Sequence, residues 1–413
     1  MIATLVAGIT LALPAALGLA VDATTPPAAV AHPFVSLADI DAEIVRVTAG
    51  TTDADLFWRR VCASGDSPLV FDRTAVFFWR GAAARVEWRG DLVGWEESEE
   101  TRGRRIGSTD LWTWRHELLP ASRADYKIVL DGSTWLLDPR NPHQQVGGYG
   151  PNSEIRMPGW HPAAHAERRE GVTAGRLVDL PIASARLGYR VDVRVYTPAG
   201  FDPASGARLP VLYVTDGSDY WREEMGALPV TLDNLIAAQR LPPLLAVFVD
   251  PWDRATGVNR RERELVPAPD GTCPFCDFLV EELVPAIDRS YPTLATREHR
   301  AILGTSLGGL HATFLVTAHG DTFGLAGIQS PALRHLPGAL DRVRTAPQPP
   351  LRAVVDCGLY EGGMLEDSRL LTRELAARGT QVRSIEVPEG HSWGHWRQTA
   401  AELLEFLFAR PPR

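Results

Sequence analysis

Lysine is almost missing from this chain of 413 residues: Lys127 is the only one, so nearly all of the 42 basic side chains are arginines. The 51 acidic residues give a formal net charge of −9, and no long basic run is present. That excludes general nucleic-acid binding but leaves room for a local arginine pocket facing an anionic small molecule. Cysteine is scarce too. Cys62 and Cys357 stand alone, so the C-x-x-C of Cys273 and Cys276 lacks the second pair that a zinc site needs. The expectation is a local loop clip or two reduced thiols, with neither a metal nor an organic cofactor. Long apolar stretches are confined to the start, where no charged side chain precedes Asp22. Small residues follow, with cleavage sites after Ala20 or Ala31. Residues 1–31 therefore read as a signal peptide or leader, which implies a periplasmic or secreted protein, or a cytoplasmic one if the leader is not genuine. No later stretch approaches a membrane span.

The length predicts two domains. Short strand-like segments run from Thr74-Ala75-Val76-Phe77-Phe78-Trp79 to Thr134-Trp135-Leu136-Leu137, with Asp131-Gly132-Ser133 as a hairpin turn. They predict a β-sandwich within 36–158, closed as loop by the glycine-rich stretch up to Gly150. Residues 159–175 read as a linker. From 176 to 413, apolar runs at Val211–Val214, Leu244–Val249, His299–Leu303 and Leu351–Val355 alternate with helical patterns, which predicts a mostly parallel, doubly wound α/β sheet.

The stretch that carries chemistry is Gly304-Thr305-Ser306-Leu307-Gly308. An apolar strand leads into it and a helical pattern follows, the setting in which G-x-S-x-G forms a nucleophile elbow. Such a serine needs a histidine base and an orienting carboxylate, in the chain order serine, acid, histidine. His311 and His319 lie on or at the end of the elbow helix, and His335 sits in a loop before a proline-rich stretch. His391 follows a strand-like segment and precedes the last helix, with His395 as its competitor four residues on. For the acid, Glu361 is the first carboxylate in the turn after the Leu351–Val355 run. Asp356 reads as strand, and Glu366 and Asp367 as the first turn of the next helix. The oxyanion hole requires two backbone N–H donors, assigned to Leu307 and to Ser218 in the loop after Val211–Val214.

From Phe57 onward the chain resembles the enterochelin (enterobactin) esterases of the esterase D group of α/β-hydrolases. The matching pieces include Phe57-Trp58-Arg59-Arg60, Asp216-Gly217 with Tyr220-Trp221, Arg261-Glu262-Arg263-Glu264-Leu265, the Ser306 elbow, and Gly358-Leu359-Tyr360-Glu361. Gly390-His391-Ser392-Trp393-Gly394-His395-Trp396-Arg397 is similar to the family's G-H-D-W-x-x-W-R signature, with Ser392 where the family usually has Asp. The resemblance selects His391 over His395 and places the family acid on Glu361. It implies an α/β-hydrolase catalytic domain beneath an immunoglobulin-like (E-set) N-terminal sandwich. It also implies hydrolysis of a catecholate trilactone siderophore, a small-molecule ester, to release iron. Asp216, Trp221, Arg261 and Trp393 become substrate-binding candidates, with Arg254, Arg260 and Arg263 as further cations for an anionic ferric complex. The same group contains feruloyl and acetyl-xylan esterases and mycolyl-type transferases, which are the alternatives.

Overall fold

The computed structural model describes residues 32–253 and 256–408. The leader expected over residues 1–31, and Arg254, lie outside the described residues. Two helices come first, Leu37–Thr48 and Ala54–Ala63, capped by the side chains of Ser36 and Asp53. They cover one face of an antiparallel sheet formed by Leu69–Phe71, Thr74–Arg80, Leu111–Glu117 and Arg104–Arg105. Strand Thr74–Arg80 has consecutive apolar residues because both of its faces are buried. Val76 and Phe78 lie under the helices with Phe57 and Val61, while Ala75 and Phe77 enter a second core with Trp88, Trp114 and Tyr126.

That second core joins the first sheet to another antiparallel sheet, Val86–Gly90, Arg123–Leu130, Gly150–Arg156 and Gln144–Gly147, with Thr134–Leu136 alongside. The ring of Phe77 lies 5.0 Å from those of both Trp114 and Tyr126. Asp131 and Gly132 both take positive φ in the turn between Arg123–Leu130 and Thr134–Leu136, as a tight hairpin requires. One expectation is corrected: the glycine-rich stretch up to Gly150 is not a closing loop but a further hairpin, Gln144–Gly147 with Gly150–Arg156.

The rest of the chain builds a nine-stranded sheet. Its main strands are β1 (Arg176–Asp179), β2 (Arg190–Thr197), β3 (Val211–Val214), β4 (Leu245–Asp250), β5 (Arg300–Thr305), β6 (Leu325–Gln329), β7 (Arg352–Gly358) and β8 (Gln381–Val387), and Ile182–Ala183 pairs beside β2. The spatial order is β1-β2-β4-β3-β5-β6-β7-β8, antiparallel through β4 and parallel beyond it. Its central strands are buried at nearly every position because helices cover both faces. Tyr213, Val247, Ile302 and Val355 meet one core; Leu212, Phe248, Leu303 and Val354 meet the other. Strand β6 escapes sequence reading because Gly327 interrupts it. A Cβ there would come within 2.8 Å of Leu303 and 3.0 Å of Leu403 on the C-terminal helix, so the glycine is what lets that helix seat. Among the described residues no helix is long and apolar enough to cross a membrane.

Candidate active site

Strand β5 ends at Thr305, and the helix Leu307–Ala318 starts two residues later, leaving Ser306 alone in the turn with φ 59° and ψ −115°. A non-glycine residue in that region is strained, and the surroundings hold it there. Ser306 N–H donates to Gln329 O at 2.9 Å, and Ala332 N–H donates to Ser306 O at 3.0 Å. Gly304 and Gly308 are required by close approach, since a Cβ on either would lie 2.6 Å from Thr215 Oγ1. The elbow is thereby pressed against the end of β3.

The hydroxyl so presented meets His391. Ser306 Oγ lies 3.0 Å from His391 Nε2, and His391 Nδ1 lies 2.6 Å from Glu361 Oε2. The Glu361 side chain is 1% exposed, against 34% for His391. Its other oxygen accepts from Gly358 N–H and from Ser330 Oγ, both at 2.7 Å. Burial alone would raise the Glu361 pKa, but the adjacent His391, with His395 behind it, outweighs burial and holds the carboxyl well below its usual range. His391 also packs edge-on against Trp396, with ring centroids 4.9 Å apart. His395 turns inward to Glu361 rather than towards Ser306. His311 faces Cys276 and Phe275 inside the elbow helix, where burial pushes its pKa down to about 3. His335 lies in a short helical turn, Leu333–His335.

Leu307 and Ser218 lie in the first turns of two helices, Leu307–Ala318 and Gly217–Trp221. These helices follow the adjacent parallel strands β5 and β3, in which Val214 stands opposite Leu303. Side-by-side helix starts turn N–H groups to one end of the sheet, where an oxyanion would be held.

The substrate-binding candidates fare differently. Asp216 is buried and forms a two-pronged ion pair with Arg261, Nε–Oδ1 at 2.7 Å and Nη2–Oδ2 at 2.9 Å. Arg261 Nη2 also donates to Thr305 O at 3.2 Å. Arg261 is thus not a cation waiting for an anionic ligand; Asp216 neutralises it, and the pair ties the Ser218 turn to the elbow. Arg261→Lys keeps the charge but loses the fork, and we expect kcat to fall about tenfold with KM little changed, measured on a p-nitrophenyl ester. Arg260 is paired with Asp253 at 2.9 Å and lies over the ring of Tyr189, which Arg263 also overlies. Trp393 is corrected as a stacking residue: it is buried edge-on against Tyr220 and Trp396, leaving no face for substrate. Trp221 packs edge-on against Phe248, with the Arg194 guanidinium 4.3 Å over its ring.

Several residues that shape this site gave no signal in the sequence. Ser330 bridges Glu361 and Trp396 Nε1. The sandwich grips the loops that carry Glu361 and His391. Fully buried Arg123 donates to Ser392 Oγ at 2.7 Å and to Glu389 at 3.4 Å, while also pairing with Asp125 and Glu154. Its backbone N–H donates to Pro388 O. Trp160 Nε1 donates to Glu389, and Asp91 fills the space where a Cβ on Gly390 would sit. On the acid side, Tyr360 Oη and Ser122 Oγ share a 2.7 Å hydrogen bond. Ser392, the departure from the usual Asp, is therefore an acceptor for Arg123. Away from this site, Cys273 and Cys276 are joined as a disulfide beside His311, so their sulfurs are bonded to each other rather than offered to a metal.

Known proteins resemble the chain in both halves. The iron(III) salmochelin esterase of Escherichia coli O6:H1 is 23% identical over 400 residues, covering 85% of this chain and 93% of that protein. An endo-1,4-beta-xylanase/feruloyl esterase of Xylanibacter ruminicola is 26% identical over 294 residues, 68% of this chain but only 38% of that longer protein. The crystal structure of the enterobactin esterase from Shigella flexneri in the presence of enterobactin shares the fold, with a TM-score of 0.66 at 21% identity, over 86% of this chain and 98% of that one. Residues 184–407, more than half of the chain, match the family model described as Esterase, and the chain belongs to this esterase family.

Proposed function

We propose that this protein is a serine esterase that cleaves the ester bonds of a catecholate trilactone siderophore. Ser306 is its nucleophile, His391 its general base and Glu361 its orienting acid. The observation that carries this reading is the unbroken line from Ser306 Oγ through His391 to Glu361, at 3.0 and 2.6 Å. His391 Nε2 takes the hydroxyl proton as Ser306 Oγ attacks the ester carbonyl, and Glu361 stabilises the imidazolium that forms. The Leu307 and Ser218 N–H groups receive the negative charge on the tetrahedral oxygen. His391 then protonates the leaving alkoxide, and water repeats the sequence on the acyl-enzyme.

The choice of substrate is supported by likeness that extends through the sandwich as well as the catalytic sheet, nearly end to end with the salmochelin esterase. We read the sandwich as an immunoglobulin-like, E-set module that borders the cleft. The 26% identity with the xylanase/feruloyl esterase favours a second reading, a plant cell-wall ester. Chromatography of products from ferric enterobactin and, separately, methyl ferulate tests both. Linear dihydroxybenzoylserine fragments at low enzyme with little ferulate released are expected; efficient ferulate release with an untouched trilactone would replace the siderophore reading by the second.

A further inference from the structure

We propose that His395 is a positioning residue: a buried imidazolium, clamped between Asp356 and Glu361, that fixes the triad carboxylate with its other oxygen turned to His391. The inference rests on the triad reading above and concerns a residue outside that triad. His395 is fully buried, and three acceptors surround its ring nitrogens. Nδ1 lies 3.2 Å from Gly390 O and 3.3 Å from Glu361 Oε1, while Nε2 lies 3.5 Å from Asp356 Oδ1. A neutral imidazole has one donor and one acceptor, so it would turn a lone pair towards a carboxylate or a carbonyl. Only the doubly protonated ring turns an N–H to both sides.

Asp356 completes the arrangement. It is fully buried at the end of β7, and its Oδ2 accepts from Gln329 Nε2 at 2.7 Å and from Thr399 Oγ1 at 2.6 Å. Among the described residues neither Asp356 Oδ1 nor His395 Nε2 has a hydrogen-bond partner, and the two face each other. Burial works against charge on both: at Asp356 it prevails and raises the carboxyl, whereas at His395 the Asp356 and Glu361 carboxylates outweigh it and raise the pKa to about 9. The result is a row of alternating groups, Asp356, His395, Glu361, His391 and Ser306. Glu361 Oε1 is held by Gly358, Ser330 and His395, which leaves Oε2 one remaining task.

The charged and titratable groups facing His395 are Asp356 from β7, Glu361 from the turn after it, and Glu389 and His391 from the histidine loop, with Asp91 of the sandwich packed against Gly390. His395→Gln removes a cation and leaves Asp356 and Glu361 behind His391, which favours protonated His391. The acid limb of kcat/KM on p-nitrophenyl butyrate should move up by roughly one pH unit, and kcat should fall about 10- to 100-fold. Asp356→Asn removes an anion instead, so the limb should move down. A misplaced triad alone would lower kcat without moving the limb. An unmoved limb in both variants, or movement in the same direction, overturns the proposal. Should neither variant fold, nitrogen NMR of the wild-type histidines decides: both His395 nitrogens protonated at about pH 7.5 supports it, and a neutral His395 ring overturns it. His391→Ala, run in parallel, separates the two readings. Near-normal turnover there removes the triad itself, whereas lost turnover with unmoved limbs removes only the role of His395.

Discussion

Ser306→Ala is expected to lower kcat by about 10⁴- to 10⁶-fold while leaving the fold and substrate binding intact. The size follows from what the hydroxyl does. Without Oγ no acyl-enzyme forms, and what remains is the background from oriented N–H groups and bound substrate. The fold should survive because the turn is held by backbone bonds to Gln329 and Ala332 and by the tight fit of Gly304 and Gly308 on Thr215, none of which uses the hydroxyl. A fluorophosphonate probe gives the sharpest check. Labelling of the wild type that vanishes in Ser306→Ala is expected; labelling that persists would move the nucleophile elsewhere. His391→Ala should lose a comparable factor, since the groups act as one unit. If His395→Ala abolished turnover and His391→Ala did not, the base would be His395.

The elbow was legible in the sequence because every determinant is local: an apolar strand, two small residues flanking the serine, and a helix within a dozen positions. Strands β3, β4, β5 and β7 were legible as apolar runs for a related reason, two-sided burial. What was not legible acts over long separations. The fork between Arg261 and Asp216 joins residues far apart in the chain, and charge alone cannot tell an arginine that binds substrate from one that braces a turn. Trp393 misleads in the same way, since an indole beside a catalytic histidine fits a stacking platform or a core equally well. Its neighbours Tyr220 and Trp396 decide for the core. Arg123 gave no signal at all. It lies in a strand of the first domain, and its partners on the histidine loop come more than 250 residues later.

Arg123→Met is expected to destabilise the protein by about 3–5 kcal/mol, because it removes one partner of a buried ion cluster and leaves the others in place. Asp125, Glu154 and Glu389 all draw on that guanidinium, and each is almost completely buried. Asp91 stands beside them with its pKa already raised to about 7, first by burial and then by Asp125. A carboxyl raised in the folded state gives stability at low pH that is lost as pH rises through its folded value. In the variant, Asp125, already raised by burial, and Glu154, which Arg123 helps to hold below its usual range, both lose that cation and add to the behaviour of Asp91, so the loss should be largest above about pH 7 and shrink towards about pH 5. Turnover should fall as well, measured per folded molecule. Arg123 fixes Ser392 and Glu389, which flank His391, and its guanidinium occupies the space where a Cβ on Gly394 would sit. We expect kcat at least about tenfold lower, with KM moving less, because the fault lies in the placement of the base. Thermal unfolding and kcat, both taken across pH, separate this from mere proximity of two domains. A variant as stable as the wild type at about pH 8, with unchanged kcat, would mean that the sandwich leans on the histidine loop without holding it. Stability lost with pH in the direction given, together with a slower enzyme, would make the N-terminal sandwich part of the catalytic machinery, since the position of His391 would then depend on a charge it supplies.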